Sequence, residues 1–327
     1  MQPTNLERQI RSQPEELERL LSSERVREQV HGAAEGLQRA RRIWLVGTGT
    51  SHHAAILGAG MIQDAGRAAS AVASMRFVDW APIVGPSDVI VVITHTGETA
   101  YALAARALAT TAGLHTITIT KRDAGFPHAV ETTGAETAET YTVSYTTALL
   151  VLAMIAKEIG ADSITDEALG SVPAAVGAAI DAPAIDRVTI PERALVIAGA
   201  GPAAVTASEG ALKLREGARV LAEGYDVEFL LHGSAVPLDG RDRVLGLTTP
   251  EGDGLVAAVL ETAAAEGVPT DVLSEPAALP PILAQIPLTV RLQMLALRAA
   301  VERRQDPDTV IVGRWGDADL WRIGRPD

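Results

Sequence analysis

Polar stretches along this chain alternate with short apolar runs that stop at glycine. Ile43 to Gly47 (IWLVG) is one such run, closing in Gly-x-Gly and followed by helix-like sequence, which predicts a buried strand that feeds a loop and then a helix. Leu195 to Gly199 (LVIAG) repeats the pattern, so that Gly47 and Gly49 align with Gly199 and Gly201. Asp88 to Thr94 and His115 to Thr120 are β-branched runs separated by helical sequence over Ala100 to Ala112, the order of a βαβ unit. Val244 to Thr248 and Thr270 to Leu273 repeat it more weakly around a helix at Leu255 to Glu266. Ala161 to Pro191, with Pro173, Pro183 and Pro191, reads as one helix and a connecting segment, and Arg291 to Arg304 as the final long helix. The fold class is α/β with parallel sheets.

A duplicated strand-loop-helix in 327 residues implies two domains of about 150 residues each. The expected organisation is a helical segment over 1–30, a first domain over 31–165, a linker with a helix over 166–192, and a second domain with a tail over 193–327. Hydrophobic residues make up 47% of the chain and aromatics only 3%, a composition that suits Ala- and Val-rich helices packed closely on parallel strands. The formal net charge of −13 removes the attraction that carries non-specific nucleic-acid binding, so no nucleic-acid partner is expected. The absence of cysteine excludes disulfides, thiolate nucleophiles and Cys-ligated metals. The charged first residues carry no apolar signal core, and no apolar run is long enough to cross a bilayer, so a soluble cytoplasmic protein without a membrane partner is expected.

Candidate chemistry begins at Thr94-His95-Thr96-Gly97-Glu98-Thr99, between a buried strand and a helix. A loop there offers backbone N–H groups, the positive end of a helix and three hydroxyls, a combination suited to a phosphate dianion without any basic residue. The plain alternative is helix capping by threonine. Thr48, Thr50 and Ser51 supply hydroxyls after the first strand, and both loops should meet at the carboxyl edge of one sheet, where α/β proteins bind ligands. Gly199-Ala200-Gly201-Pro202-Ala203-Ala204 fits a dinucleotide fingerprint, but Pro202 has no N–H to offer, and Glu223, at the spacing of the ribose-binding acid, follows a helical stretch. Glu209, Lys213 and Glu216 share one helix face, usually the mark of a solvated ion-pair stripe. His232, between Phe229-Leu230-Leu231 and Gly233, has a structural core histidine as its plain alternative.

In this order the pieces resemble the double-SIS (sugar isomerase) family, which includes the isomerase half of glucosamine-6-phosphate synthase. The resemblance is carried by Glu7-x-x-Ile10-x-x-Gln13-Pro14, Gly49-Thr50-Ser51 and the Thr94 to Thr99 loop, where the family has Ser-Gln-Ser-Gly-Glu-Thr. It continues through Gly134-Ala135-Glu136 with Tyr145-Thr146-Thr147, through Glu209 to Glu216 with Ala222-Glu223-x-Tyr225, and through His232-Gly233. It implies two tandem SIS domains, each a parallel sheet between helix layers, in a homodimer with shared active sites. It further implies a phosphorylated sugar as ligand and no cofactor or metal. Thr50, Ser51, Thr94, His95, Thr96 and Thr99 inherit the phosphate, and Glu136 and Lys213 inherit substrate contacts. Glu216 matches the base that moves a proton between C1 and C2, and His232 the ring-opening histidine given across the dimer.

Several departures qualify the match. The glutaminase half is absent, Glu139 and Tyr141 stand where the family has small residues, and Ser234 stands where it has proline. The family's tail lysine is missing, with Asp306-Pro307-Asp308-Thr309 running into Val310 to Trp315 and Arg314 nearby. The expected function is a phosphosugar isomerase, deaminase or deglycase acting on a 6-phosphorylated amino sugar or amino-acid-linked ketosugar. The alternatives are a non-catalytic sugar-phosphate regulator and a nucleotide-dependent enzyme at the Gly199 loop.

Overall fold

The computed structural model describes residues 3–80, 82–250 and 254–323, the side chains of 321–323 excepted. In chain order the first half contains α1 (Asn5–Ser22), α2 (Glu24–Gln38), β1 (Ile43–Gly47), α3 (Thr50–Asp64), β2 (Ala69–Ala73), α4 (Ser74–Asp79), β3 (Val89–Ile93), α5 (Ala100–Thr111), β4 (His115–Thr120), β5 (Ala129–Glu131) and α6 (Val143–Glu158). The second contains α7 (Asp166–Asp181), β6 (Leu195–Gly199), α8 (Pro202–Ala218), β7 (Ala222–Asp226), α9 (Val227–Phe229), β8 (Arg243–Thr248), α10 (Leu255–Ala265), β9 (Thr270–Ser274), α11 (Pro281–Glu302) and α12 (Ala318–Ile323). The chain divides into two compact units: a first of Glu15–Glu136, Val143–Gly170 and the chain from Ile311, and a second of the segment up to Pro14, Thr137–Thr142 and Ser171–Val310.

In the first unit all five strands are parallel, in the order β2-β1-β3-β4-β5. Side chains alternate across the sheet. Val46, Ile90 and Val92 pack with Phe77 of α4 and Ala102, Ala105 and Ala109 of α5. On the opposite face Leu45 meets α3 at Gly58, where an added Cβ would come within 3.0 Å of Leu45 and 2.8 Å of Leu152 on α6. The helices that follow β1 and β3 therefore leave on opposite faces. This opens a crevice at the carboxyl ends of two neighbouring strands, the switch point at which such sheets bind ligands.

The second unit carries a four-stranded parallel sheet, β7-β6-β8-β9. Leu195 and Ile197 face Ala207, Ala211 and Leu214 of α8 and Leu288, Leu292 and Leu295 of α11. Val196, Ala198 and Val244 face Val227, Leu230 and Val256, Val259 and Leu260 of α10. The two Gly-x-Gly loops share one backbone: Gly49 has φ 54°, ψ −130° and Gly201 φ 55°, ψ −128°. A Cβ on Gly47 would sit 2.5 Å from the Ser51 carbonyl oxygen and one on Gly199 2.4 Å from Ala203, so each tight turn into its helix excludes any larger residue.

Two expectations about elements change. The final long helix begins at Pro281 rather than near residue 291, because Pro281 occupies a first-turn position where its missing N–H is no loss, and buried packing tolerates Pro287 inside. Strands β2 (ASAVA), β5 (AVE) and β7 (AEGYD) carry no continuous apolar run; all three are edge strands.

The segment that replaces the expected tail lysine is a knot within the second unit. Both carboxylate oxygens of Asp308 accept N–H groups at the start of α1, from Asn5 and Leu6, each at 2.8 Å. Thr140 donates its hydroxyl to the Pro307 carbonyl (2.8 Å), and Glu139 accepts the Val310 N–H (2.6 Å) while donating its own N–H to the Asp308 carbonyl. The unusual Glu139 and the unusual tail are thus parts of one structure.

Candidate functional site

The hydroxyl loops lie where the crevice argument puts them, after the adjacent strands β1 and β3. Thr50 and Ser51 open α3 and are half-buried. The Ser51 and His52 N–H groups are not free as expected, since they donate to the Thr48 and Gly49 carbonyls. At α5 the N-cap residue Thr99 makes no side-chain cap bond and is exposed, so the capping alternative does not hold for it and the start of that helix is open to a ligand. Thr96 accepts the Glu98 N–H at 3.2 Å. The Thr94 hydroxyl is buried and has no hydrogen-bond partner among the described residues.

A cavity of about 20 Å³ sits at this edge. That is room for about one water molecule. Thr50 and Ser51 of α3, His95, Thr120, Thr132, and Ser144 and Tyr145 of α6 supply its polar lining. Burial, and secondarily Lys121, lowers the His95 pKa to about 4, so its imidazole is neutral at pH 7. Burial also lowers the pKa of His52, with His53 adding to the effect. Glu136 accepts the Ser144 N–H at 2.8 Å and so ties the head of α6, which carries Ser144 and Tyr145. Sequence reasoning did not single out Thr120, Thr132 or Ser144 for this site. The first two end β4 and follow β5, and with β5 unseen nothing marked them as neighbours.

In the second unit α8 positions a charge triad. Glu209 and Lys213 have fully buried side chains, and that of Glu216 is 20% exposed. Lys213 Nζ lies 3.4 Å from Glu209 Oε1 and 2.6 Å from Glu216 Oε2. The solvated-stripe reading is overturned: the side chains of Glu209 and Lys213 have no exposed surface, so the face of α8 that carries the charges is packed, although it is not the face that meets the sheet. His232 lies on a non-helical turn before Gly233 (φ 113°) and is exposed, which overturns the core-histidine reading. Phe229, Leu231 and Val236 beside it are 69%, 55% and 85% exposed.

The Gly199 loop offers little to a dinucleotide. The Ala203 and Ala204 N–H groups donate to the Ala200 and Gly201 carbonyls, and Pro202 has none. Glu223 does lie on the second strand, β7, contrary to expectation, but it pairs with Arg215 (3.4 Å) and accepts the Tyr225 hydroxyl. Asp226, at the carboxyl end of β7, is occupied with the Glu228 N–H. Among the described residues no group of three or more His, Asp or Glu is placed to hold a metal ion. No helix among them is long and apolar enough to cross a membrane.

The SIS domain model matches residues 36–157. Residues 36–157 form a SIS domain. This SIS domain contains every hydroxyl of the cradle, together with His95 and Glu136. Over 311 residues the chain is 30% identical to the glutamine–fructose-6-phosphate aminotransferase (isomerizing) of Pyrococcus horikoshii, covering 84% of this chain and 51% of that protein. The chain thus spans about half the length of the curated relatives it matches. Among solved structures it superposes on the C-terminal domain of the Francisella tularensis glucosamine-fructose-6-phosphate aminotransferase, with TM-score 0.77, 20% identity and coverage of 94% and 99% of the two chains. It superposes equally on the Escherichia coli tagatose-6-phosphate ketose/aldose isomerase, with TM-score 0.77, 20% identity and coverage of 96% and 97%.

Proposed function

We propose that this chain is a double-SIS phosphosugar enzyme, with a helix-sheet-helix sandwich in each half. Its substrate is a 6-phosphorylated amino sugar or amino-acid-linked ketosugar, processed by aldose-ketose isomerisation, deamination or deglycation. The observation that carries the reading is the uncapped hydroxyl cradle at the β1/β3 switch point of the SIS domain, which suits a phosphate dianion. Ser51, Thr96 and Thr99, with the open start of α5, hold the phosphate.

Isomerisation requires a base that removes a proton from the carbon beside a carbonyl and returns it to the neighbouring carbon once the enediol has formed. Glu216 takes that role. The Lys213 ammonium at 2.6 Å favours its carboxylate form, while Glu209 shares the charge of that lysine. His232, on an exposed turn among exposed apolar side chains, acts in ring opening from a partner protomer of a homodimer. A panel of hexose 6-phosphates and their unphosphorylated sugars, followed by thermal shift and mass spectrometry, tests the reading. Only the phosphates should stabilise the protein, and Glu216→Gln should lower turnover at least about 100-fold while leaving that stabilisation intact. Equal shifts with and without phosphate would remove the basis for the cradle.

One observation favours the second reading, a sugar-phosphate sensor without turnover. Residues 307–310, where the lysine-bearing tail is expected, bind α1 and the Thr137–Thr142 loop and carry no lysine. Stabilisation by phosphates with no product from any of them would establish it.

A further inference from the structure

The cradle has an unusual member in His95, which interrupts a loop of hydroxyls and lines a small cavity rather than standing in open solvent. Both ring nitrogens are buried, and the ring shares its cavity with Thr50 and Ser51 of the other loop, so it sits between the two segments that face a phosphate. The cavity is too small for a phosphate, so a phosphate held by the two loops would rest outside it, on segments that both contribute to its lining.

The charges around this ring are few. On its own loop the carboxylate is Glu98, which is exposed; after β4 comes Lys121, the cation whose field bears on it. α3 contributes Thr50 and Ser51, with His52 and His53 following in its first turn; β4 contributes Thr120, and Thr132 follows β5. α6 contributes Ser144 and Tyr145, the latter being the other titratable side chain that lines the cavity. Without ligand, burial and Lys121 both oppose a charged imidazole. A phosphate monoester brings two negative charges to a site where Lys121 is the only fixed cation among these groups. At a largely buried ring, that excess reverses the balance at the nearest titratable base.

Resting on the phosphosugar reading above, we propose that His95 couples the binding of a phosphate ester to the uptake of one proton at its imidazole. The proton comes from the solvent, no other bond changes, and the imidazolium completes the neutralisation of the dianion that hydroxyls and one helix end leave unfinished. His95 thereby makes the cradle select a doubly charged ester over a singly charged one such as a sulfate ester, and strengthens the selection as pH falls toward about 6, below which the ester itself takes up the proton and becomes singly charged.

The test uses fructose 6-phosphate as probe and the full chain. Calorimetric titration at pH 6 in buffers of different ionisation enthalpy reports protons taken up per ligand bound. The wild-type chain should take up about half a proton or more beyond His95→Gln, whose neutral amide cannot titrate and whose value subtracts the ligand's own protonation. Spectra of ¹⁵N-histidine-labelled wild-type protein provide a readout that does not depend on the variant binding or folding. One imidazole, assigned by its absence in His95→Gln or by elimination, should change from the neutral to the imidazolium pattern at ligand saturation. Saturable binding with the His95 ring still neutral would overturn the proposal and leave the phosphosugar reading standing. Failure of fructose 6-phosphate and glucosamine 6-phosphate alike to bind the wild-type chain would overturn both.

Discussion

Replacing Lys213 by methionine isolates the least expected feature of α8. The change keeps the length and apolar stem of the side chain but removes the ammonium that lies 3.4 Å from Glu209 and 2.6 Å from Glu216. Glu216, 20% exposed, keeps access to water; Glu209, with no exposed surface, does not. Stranding a buried carboxylate by removing its cation costs about 3–5 kcal/mol, whereas an exposed pair is worth at most about 1 kcal/mol. The chain supplies its own control, because Glu7 and Arg11 have the same i,i+4 spacing at 3.0 Å but are 30% and 53% exposed. Thermal unfolding followed by circular dichroism should therefore show Lys213→Met lowering the midpoint of the affected transition by roughly 10 °C or more, and Arg11→Ala by no more than about 4 °C. Adding Glu209→Gln to Lys213→Met should recover most of the loss, because the neutral amide no longer needs a cation. Two equal, small shifts would refute the burial argument and restore the solvated stripe.

Two further outcomes follow from the same geometry. His95 holds a pKa near 4 in the folded chain against about 6.5 unfolded, so between these values the unfolded state binds the extra proton; stability should fall as pH drops through that window, by up to about 3 kcal/mol, and His95→Gln should flatten that part of a urea-midpoint profile. Asp308→Ala removes the acceptor for two N–H groups at the start of α1 and should cost about 1–2 kcal/mol in chemical denaturation, with Asp308→Asn recovering part of it; no change would mean that water replaces the cap.

Much of the architecture was written locally. Central strands such as VIVVI and LVIAG are buried on both faces, so they must be continuously apolar, and the Gly-x-Gly that closes IWLVG and LVIAG marks a turn into the next helix too tight for a larger residue. The order strand, hydroxyl loop, helix therefore placed both loops at the ends of neighbouring strands in advance. Edge strands such as AEGYD pack less completely and carry no such signature, which concealed β5, hence Thr132, and left Glu223 apparently outside a strand.

The remaining properties belong to tertiary structure. Spacing put Glu209, Lys213 and Glu216 on one face of α8 and Glu7 and Arg11 on one face of α1, but nothing local states which face is covered; tertiary packing leaves Glu209 and Lys213 with no exposed surface and Glu7 and Arg11 solvated, so the first pair is potent and the second weak. His95 was legible as a loop residue, yet its charge state depends on a cavity assembled from α3, β4 and α6. Likewise the meaning of Asp308 depends on a helix that begins at residue 5, a contact spanning nearly the whole sequence. Backbone propensity and hydrophobic pattern are short-range and survive in the sequence, whereas burial, and with it the strength of every charge, is created only when distant segments exclude water together.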